Sequence, residues 1–354
     1  MFAQSSTFVV GAGASCELNL PSGDALMHKI ASLLAPSKDN MYGFSSEVLC
    51  REIERLIPHT GVSQAETIRE LKRAGQVIRA ALPWSPSIDN LLHNHQDDEW
   101  VSKLGKAAIA RAILDAETRS HFFSSFAMSL ALDRSPARKD PSITGEDLQS
   151  SWYKPFAQLL FSQVLWNDLP KALEMHRFVI FNYDRCLEQF LFSAIQAHYN
   201  VSSEAAAEAL ENTMFVHPYG TLGRLPWQED DGSSPLPLGD DPEFHSAFQI
   251  GQNLKTFTES VEDHVVFDVK QCIENATALV FLGFGYLKQN IELIRPKHRS
   301  ATQVYATAYG LSSPNVEAAR GILRYFMDGM GVEPNLDTGS CSDLFHNYRM
   351  KLSG

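Results

Sequence analysis

A chain of 354 residues with 44% hydrophobic side chains can bury a large core, so it is expected to fold as one sizeable α/β domain with an insertion, or as two domains. Its net charge of −12 and pI near 5.5 speak against nucleic acid or an anionic membrane as its main partner, because phosphate contacts need clustered lysine and arginine. The five cysteines, Cys16, Cys50, Cys186, Cys272 and Cys341, are odd in number and form no CxxC pair, which argues against a zinc ribbon or a local disulfide framework.

The longest apolar stretch, residues 278–287, is far short of the roughly 20 residues a membrane helix needs. No secretory signal is evident: the first basic residue is Lys29, and the apolar N-terminal run breaks on glycines. A soluble, cytoplasmic protein is therefore expected.

The first element is Thr7-Phe8-Val9-Val10-Gly11-Ala12-Gly13-Ala14-Ser15, an apolar run ending in two glycines and a hydroxyl residue. It reads as a buried parallel strand entering a phosphate-binding turn: the glycines admit a pyrophosphate, and the following helix points its positive end at the anion. A bare strand-GxG also fits an ordinary tight strand-to-helix turn, and Cys16 stands where the GxGxxG fingerprint wants its third glycine. Next come helical patterns at 66–82 (Ile68, Leu71, Val77, Ile78), at 102–132 (Ile109, Ile113, Phe122, Phe123, Phe126) and at 152–166, with a polar break at 133–147. They predict a helical insertion packed on a sheet. His93-Asn94-His95-Gln96-Asp97-Asp98-Glu99 looks like a metal cluster, but residues two apart on a helix point about 200° apart, so a solvated segment is expected.

Four further apolar segments predict strands: 177–181, 212–216, 277–282 and 303–306, each running into small or polar residues as strands of a doubly covered parallel sheet do. Open sheets of this kind bind ligands at their carboxyl ends. The second strand leads into Asn182-Tyr183-Asp184 and an amphipathic helix at 185–197. Asp184 reads as a helix cap or a ligand contact, and the Asn182 amide can hydrogen-bond a ribose or position a water. His217, at the next strand end, is held in a Pro218/Gly220 turn and reads as a packed histidine or a catalytic one. The Pro/Gly/Asp-rich stretch 220–242 reads as a lid or flap, and its Asp230-Asp231 and Asp240-Asp241 pairs as solvated. Ser313-Pro314 opens a last helix running to about Met327.

Taken in order, these pieces resemble the sirtuin-like superfamily. The resemblance is carried by Gly11-Ala12-Gly13-Ala14-Ser15, Asn182 and Asp184 as Asn-x-Asp, His217 followed closely by Gly220, and Gly283-Phe284-Gly285 on a late strand. Two fragments add to it: Leu20-Pro21-Ser22-Gly23 after the glycine loop, and Ser87-Ile88-Asp89, which looks like the Ser-Ile-Asp box of prokaryotic sirtuin-like effectors. Pro218-Tyr219 interrupts the commoner His-Gly, and Tyr286-Leu287-Lys288-Gln289-Asn290 replaces a loop that often carries an acidic residue.

The resemblance implies a Rossmann-like parallel sheet flanked by helices, with a core at about 1–34 and 176–310, a helical insertion at about 35–175 and a C-terminal helical segment at 311–354. It implies the zinc-free branch known for NAD hydrolysis in antiviral defence, where NAD depletion halts the infected cell, with no metal. NAD, as substrate, is expected against Gly11, Ala12, Gly13, Ala14, Ser15, Pro21, Asp89, Gly283, Phe284, Gly285 and Thr307. Asn182 is expected to hold the ribose or the attacking water, His217 to act as general base, and Asp184 to orient the nicotinamide-ribose end or merely cap its helix. A free NAD hydrolase is toxic to its host, and the core plus insertion is expected to use nearly the whole chain. Control in trans is therefore expected, through a homo-oligomer, a hetero-complex with a sensor or ATPase-type subunit, or both. The competing expectations are a sensor that binds NAD or ADP-ribose uncleaved, a protein deacylase, disfavoured by the absent zinc cysteines, and a nicotinamide oxidoreductase, disfavoured by the broken GxGxxG.

Overall fold

The structure, a computed structural model, describes residues 2–120, 148, 150–229, 232–239, 246–256, 259, 261–328 and 332–353. Its centre is a six-stranded, wholly parallel sheet: β1 (Ser6–Val10), β2 (His176–Ile180), β3 (Met214–Val216), β4 (Ala278–Leu282), β5 (Gln303–Thr307) and β6 (Asn335–Asp337), in the order β3-β2-β1-β4-β5-β6. This is the Rossmann-like α/β architecture. The chain winds outward from β1 in both directions, so the order reverses between β1 and β4, where open sheets leave a crevice for ligands.

Every residue of β1 and β4 is buried, which is why both read as unbroken apolar runs. Side chains alternate between the two faces. On one face Phe8, Phe178 and Val280 pack with Trp152, Phe156 and Phe345; on the other Val9, Val179 and Phe281 pack with Val269, Leu323 and Phe326. The helices Tyr153–Phe161, Cys186–Tyr199 and Cys341–Asn347 cover the first face, and Asp263–Glu274 and Ser313–Leu323 the second.

A third core lies apart from these. Helices Gly23–Leu33, Glu47–Leu56, Gln64–Ala81, Ile88–Asn94 and Glu99–Thr118 bury Ile30, Ile53, Leu71, Leu91 and Leu104 together with Tyr183, Tyr219 and Leu222 from the strand ends. The helical stretch therefore divides. Its first part builds a cap that includes the turns after β2 and β3, while its last part, from Tyr153, packs on the sheet as expected. The predicted helix 102–132 runs from Glu99 to Thr118, started by the Asp98 cap. Phe122, Phe123, Phe126 and the break at 133–147 lie outside the described residues, as do Asp230, Asp231, Asp240 and Asp241. The predicted helix 152–166 stops at Phe161, and Gln163 follows with φ 61°.

Two expectations are corrected. The segment 311–354 is not all helical, because β6 extends the sheet beside β5. Asn-Leu-Asp carries no strand pattern; a three-residue edge strand is held by its neighbour rather than by propensity. The stretch after His217, in its described part, is no free lid: Leu222, Leu225 and Leu236 are buried, Leu222 donates to the Tyr183 carbonyl (3.3 Å), and the Arg185 guanidinium bonds the Leu236 carbonyl. Among the described residues, no helix is long and apolar enough to cross a membrane.

Arg185 ties these parts together. Its Nη2 lies 2.6 Å from Glu117 Oε2, with both side chains almost wholly buried. Removing one partner of such a pair strands a charge, whereas replacing both by apolar residues is often tolerated. Glu117→Leu alone is expected to cost about 3–5 kcal/mol in denaturant unfolding, and Glu117→Leu with Arg185→Met much less; equal losses would refute the pairing.

Candidate functional site

The strand register brings the site together. Val10 pairs with both Ile180 and Leu282, so β1, β2 and β4 end level and the turns at Gly11, Asn182 and Gly283 lie side by side. A cavity of about 330 Å³ opens over them, at the reversal point of the sheet. That is within the range of roughly 300–1,000 Å³ common for small-molecule sites. Its floor includes Gly11, Ala12, Gly13, Asn182, Asp184 and Gly283; Phe284 and Gly285 extend it, and the helical cap supplies Pro21, Ser22, Gly23 and Asp89.

The glycine turn does something different from what its sequence suggests. The Gly11 N–H donates to the Leu282 carbonyl (2.9 Å), Gly13 to Gly283 (3.0 Å) and Ala14 to Gly11 (2.9 Å), so these amides are spent inside the protein. A Cβ on Gly11 would meet the Gly283 oxygen at 2.5 Å. These glycines let two strand-end backbones touch. The helix after the turn, Ala12–Ser15, has four residues. The longer helix whose amino end reaches the cavity is Gly23–Leu33, capped by Ser22, whose Oγ accepts from the Ala25 N–H. An anion in the cavity would therefore meet the positive end of that helix.

Asn182, Tyr183 and Asp184 stitch the cavity walls together. Asn182 Nδ2 donates to Ser15 Oγ (2.7 Å) and to the Gly11 carbonyl (3.2 Å), and Ser15 Oγ donates to Asp184 Oδ2 (2.9 Å). Asp184 Oδ1 accepts from the Cys186 N–H (3.2 Å); Asp184 stands one residue before the helix's N-cap, Arg185, rather than at the cap itself, and it lines the cavity. Burial pushes its pKa up, opposed by the Ser15 and Cys186 hydrogen bonds and reinforced by Glu117 and Glu188. The Tyr183 hydroxyl donates to Asp89 Oδ1 (2.8 Å), whose pKa burial also raises. One acceptor is left over: Asn182 Oδ1 is buried and has no hydrogen-bond partner. A buried unpaired acceptor beside a cavity calls for an explanation, and a ligand donor is one.

Four of the expected residues stand behind the cavity wall. Ala14 is buried, its carbonyl taken by Trp152 Nε1 (3.0 Å). Ser15 links Asn182 to Asp184, as above. Thr307 Oγ1 accepts from the Gly283 N–H (2.8 Å) and so holds the Gly283 turn. His217 does not line the cavity; its Nδ1 lies 3.1 Å from the Asn182 carbonyl and its Nε2 2.5 Å from Glu188 Oε1. Both partners are acceptors, which suits a protonated ring. Burial disfavours the charge, but Glu188, the Asn182 carbonyl and Asp184 outweigh it and raise the pKa. With both ring nitrogens turned to protein acceptors and the ring outside the cavity lining, His217 presents no free nitrogen to a ligand in this arrangement.

Sequence reasoning missed Tyr183, Glu188, Tyr219 and Asn290. Tyr219 donates to Asn290 Oδ1 (2.7 Å), and both line the cavity. Asn290 sits in the Tyr286–Asn290 loop already singled out as unusual, and Glu188 follows Asp184 by one helical turn. Those spacings were the available signals. Among the described residues, no group of three or more His, Cys, Asp and Glu is arranged to hold a metal ion. Comparison with protein-family models finds no match. Comparisons with curated proteins and with solved structures find none either.

Proposed function

We propose that this chain hydrolyses the N-glycosidic bond of NAD+, releasing nicotinamide and ADP-ribose. The observation that carries the reading is the unpaired Asn182 Oδ1 beside a cavity that spans the ends of β1, β2 and β4. Cleavage builds positive charge on the ribose as nicotinamide leaves, so a fixed, desolvated carbonyl dipole favours the transition state over the ground state. Asn182 is held by two hydrogen bonds from its amide nitrogen, which leaves its oxygen for the ribose or for the attacking water. Asp184 is the carboxylate of the cavity floor, and its raised pKa moves it toward the range in which a carboxylate takes up a proton effectively. In this reading His217 acts from behind, through Asn182. No metal takes part.

The sequence resemblance extends the proposal to an antiphage effector that depletes NAD under the control of a partner subunit or of self-assembly. The deciding measurement is nicotinamide release from NAD+ by the purified chain, alone and with the product of its neighbouring gene, beside mass photometry of both samples. Release in either condition supports the hydrolase. Tight binding of NAD+ that stays intact supports a second reading, a sensor that holds NAD or ADP-ribose. That reading is favoured by one observation: both His217 nitrogens are turned to protein acceptors.

A further inference from the structure

We propose that Glu188 is a positioning residue for this cavity: its carboxylate clamps His217 against the Asn182 carbonyl and so fixes the turn that presents Asn182 and Asp184. The inference rests on the hydrolase reading only for its kinetic test.

Three elements meet at the clamp. Glu188 lies in the first turn of the helix Cys186–Tyr199, His217 directly after β3, and Asn182 two residues past the end of β2. The contacts run from Glu188 Oε1 to His217 Nε2 (2.5 Å) and from His217 Nδ1 to the Asn182 carbonyl (3.1 Å). A glutamate in the first turn of a helix ordinarily sits in water, favoured by the helix end. Here its side chain is 2% exposed, and its second oxygen, Oε2, is buried with no hydrogen-bond partner. A buried, half-satisfied carboxylate is costly, and such pairs are weak evidence for stability in themselves. The clamp makes sense as a device that holds one conformation of the site.

The turn it holds is the one on which the cavity depends. The Asn182 backbone is gripped through its carbonyl by His217, while its side chain is gripped from the other side by Gly11 and Ser15. With the backbone fixed, Asn182 Oδ1 keeps its place without a bond of its own. The charged groups acting on His217 are Glu188 and, more weakly, Asp184. Because the ring's pKa is raised in the fold, the clamp is fully formed below the ordinary histidine value and is lost as pH rises through the folded value.

The test is Glu188→Gln, read in three ways. In NMR of histidine-labelled protein, His217, assigned with His217→Asn, is expected to titrate above the ordinary value of about 6.5 in the wild type and to lose about tenfold in proton affinity in the variant. Hydrogen–deuterium exchange of the segment 179–186 is expected to speed up. Nicotinamide release is expected to fall about 10²-fold in kcat, with KM for NAD+ little changed and the alkaline limb of the rate profile moved to lower pH. Glu188→Asp keeps the charge on a shorter arm; partial kcat and a retained raised titration are expected, and this variant carries the test if the glutamine protein does not fold. The proposal is overturned if wild-type His217 titrates at or below its ordinary value. It is overturned equally if Glu188→Gln leaves its titration and the exchange of 179–186 unchanged, or, where only Glu188→Asp folds, if that variant keeps the wild-type exchange of 179–186 and the wild-type kcat. A wild type that releases no nicotinamide defeats the hydrolase reading alone, since titration and exchange still decide the clamp.

Discussion

Asn182→Ala is expected to lower kcat for nicotinamide release by about 10²–10³-fold, the cost of deleting one preorganised polar group that faces developing charge. The side chain has two roles, and the experiment has to separate them. Its Nδ2 satisfies the Gly11 carbonyl and Ser15 Oγ, while its Oδ1 is unpaired beside the cavity. Losing the donor leaves buried acceptors short of a partner, at about 1–3 kcal/mol, so some loss of thermal stability accompanies the kinetic defect. Ser15→Ala is the control. It breaks the link from Asn182 to Asp184 but keeps Asn182 Oδ1 in place, and it is expected to cost comparable stability with a much smaller loss of kcat. Equal kinetic losses in the two variants would mean that the network as a whole, rather than the Asn182 oxygen, matters to the reaction. Full activity of Asn182→Ala would remove the central residue of the proposal.

Gly283→Ala is expected to destabilise the fold by about 2–5 kcal/mol, the sum of left-handed backbone strain and overpacking. Gly283 has φ +55°, and a Cβ there would lie 2.0 Å from the Ala14 nitrogen and 2.3 Å from the Gly13 carbonyl carbon. Backbone cannot rotate aside as a side-chain tip can, and both strands are held by sheet pairing on either side, so the upper end of the range is expected. Gly285, two residues on, makes the contrast. A Cβ there meets nothing nearer than Leu287 Cγ at 3.9 Å, so Gly285→Ala is expected to change stability by no more than about 0.5 kcal/mol. Denaturant midpoints of the two variants check both values. If Gly283→Ala unfolds at the wild-type midpoint, the tight seam between the turns after β1 and β4 is wrong.

This seam shows how far a sequence can be read. The strands at 7–10, 177–181, 277–282 and 303–306 stood out because a doubly covered parallel strand must be apolar throughout, and that constraint is local. The parallel sheet was legible because each of these apolar runs passes into small or polar residues at its carboxyl end. The Gly11–Gly13 turn was also visible, yet its reason was not. Glycine marks a place where no side chain fits, and nothing local says whether the intruder is a phosphate or a neighbouring strand. Here it is the backbone of Gly283, 270 residues later in the chain.

The site divides along the same line. Asn182 and Asp184 were legible from a short motif after a strand, Asp89 and Pro21 only through the family resemblance, and the fold brings all four to one cavity. His217 was legible as a residue that matters, but its orientation was decided by Glu188 on another element and by the Asn182 carbonyl. Tyr219 and Asn290 meet only because the turns after β3 and β4 converge above the sheet. By itself, then, the sequence determined the periodicity, the turn positions and the residue types able to do chemistry, since each depends on near neighbours along the chain. Which of those groups face the cavity, which are spent on one another and which amides remain for a ligand was decided by tertiary structure alone, because hydrogen bonds and close contacts are satisfied between strand ends that lie far apart in sequence.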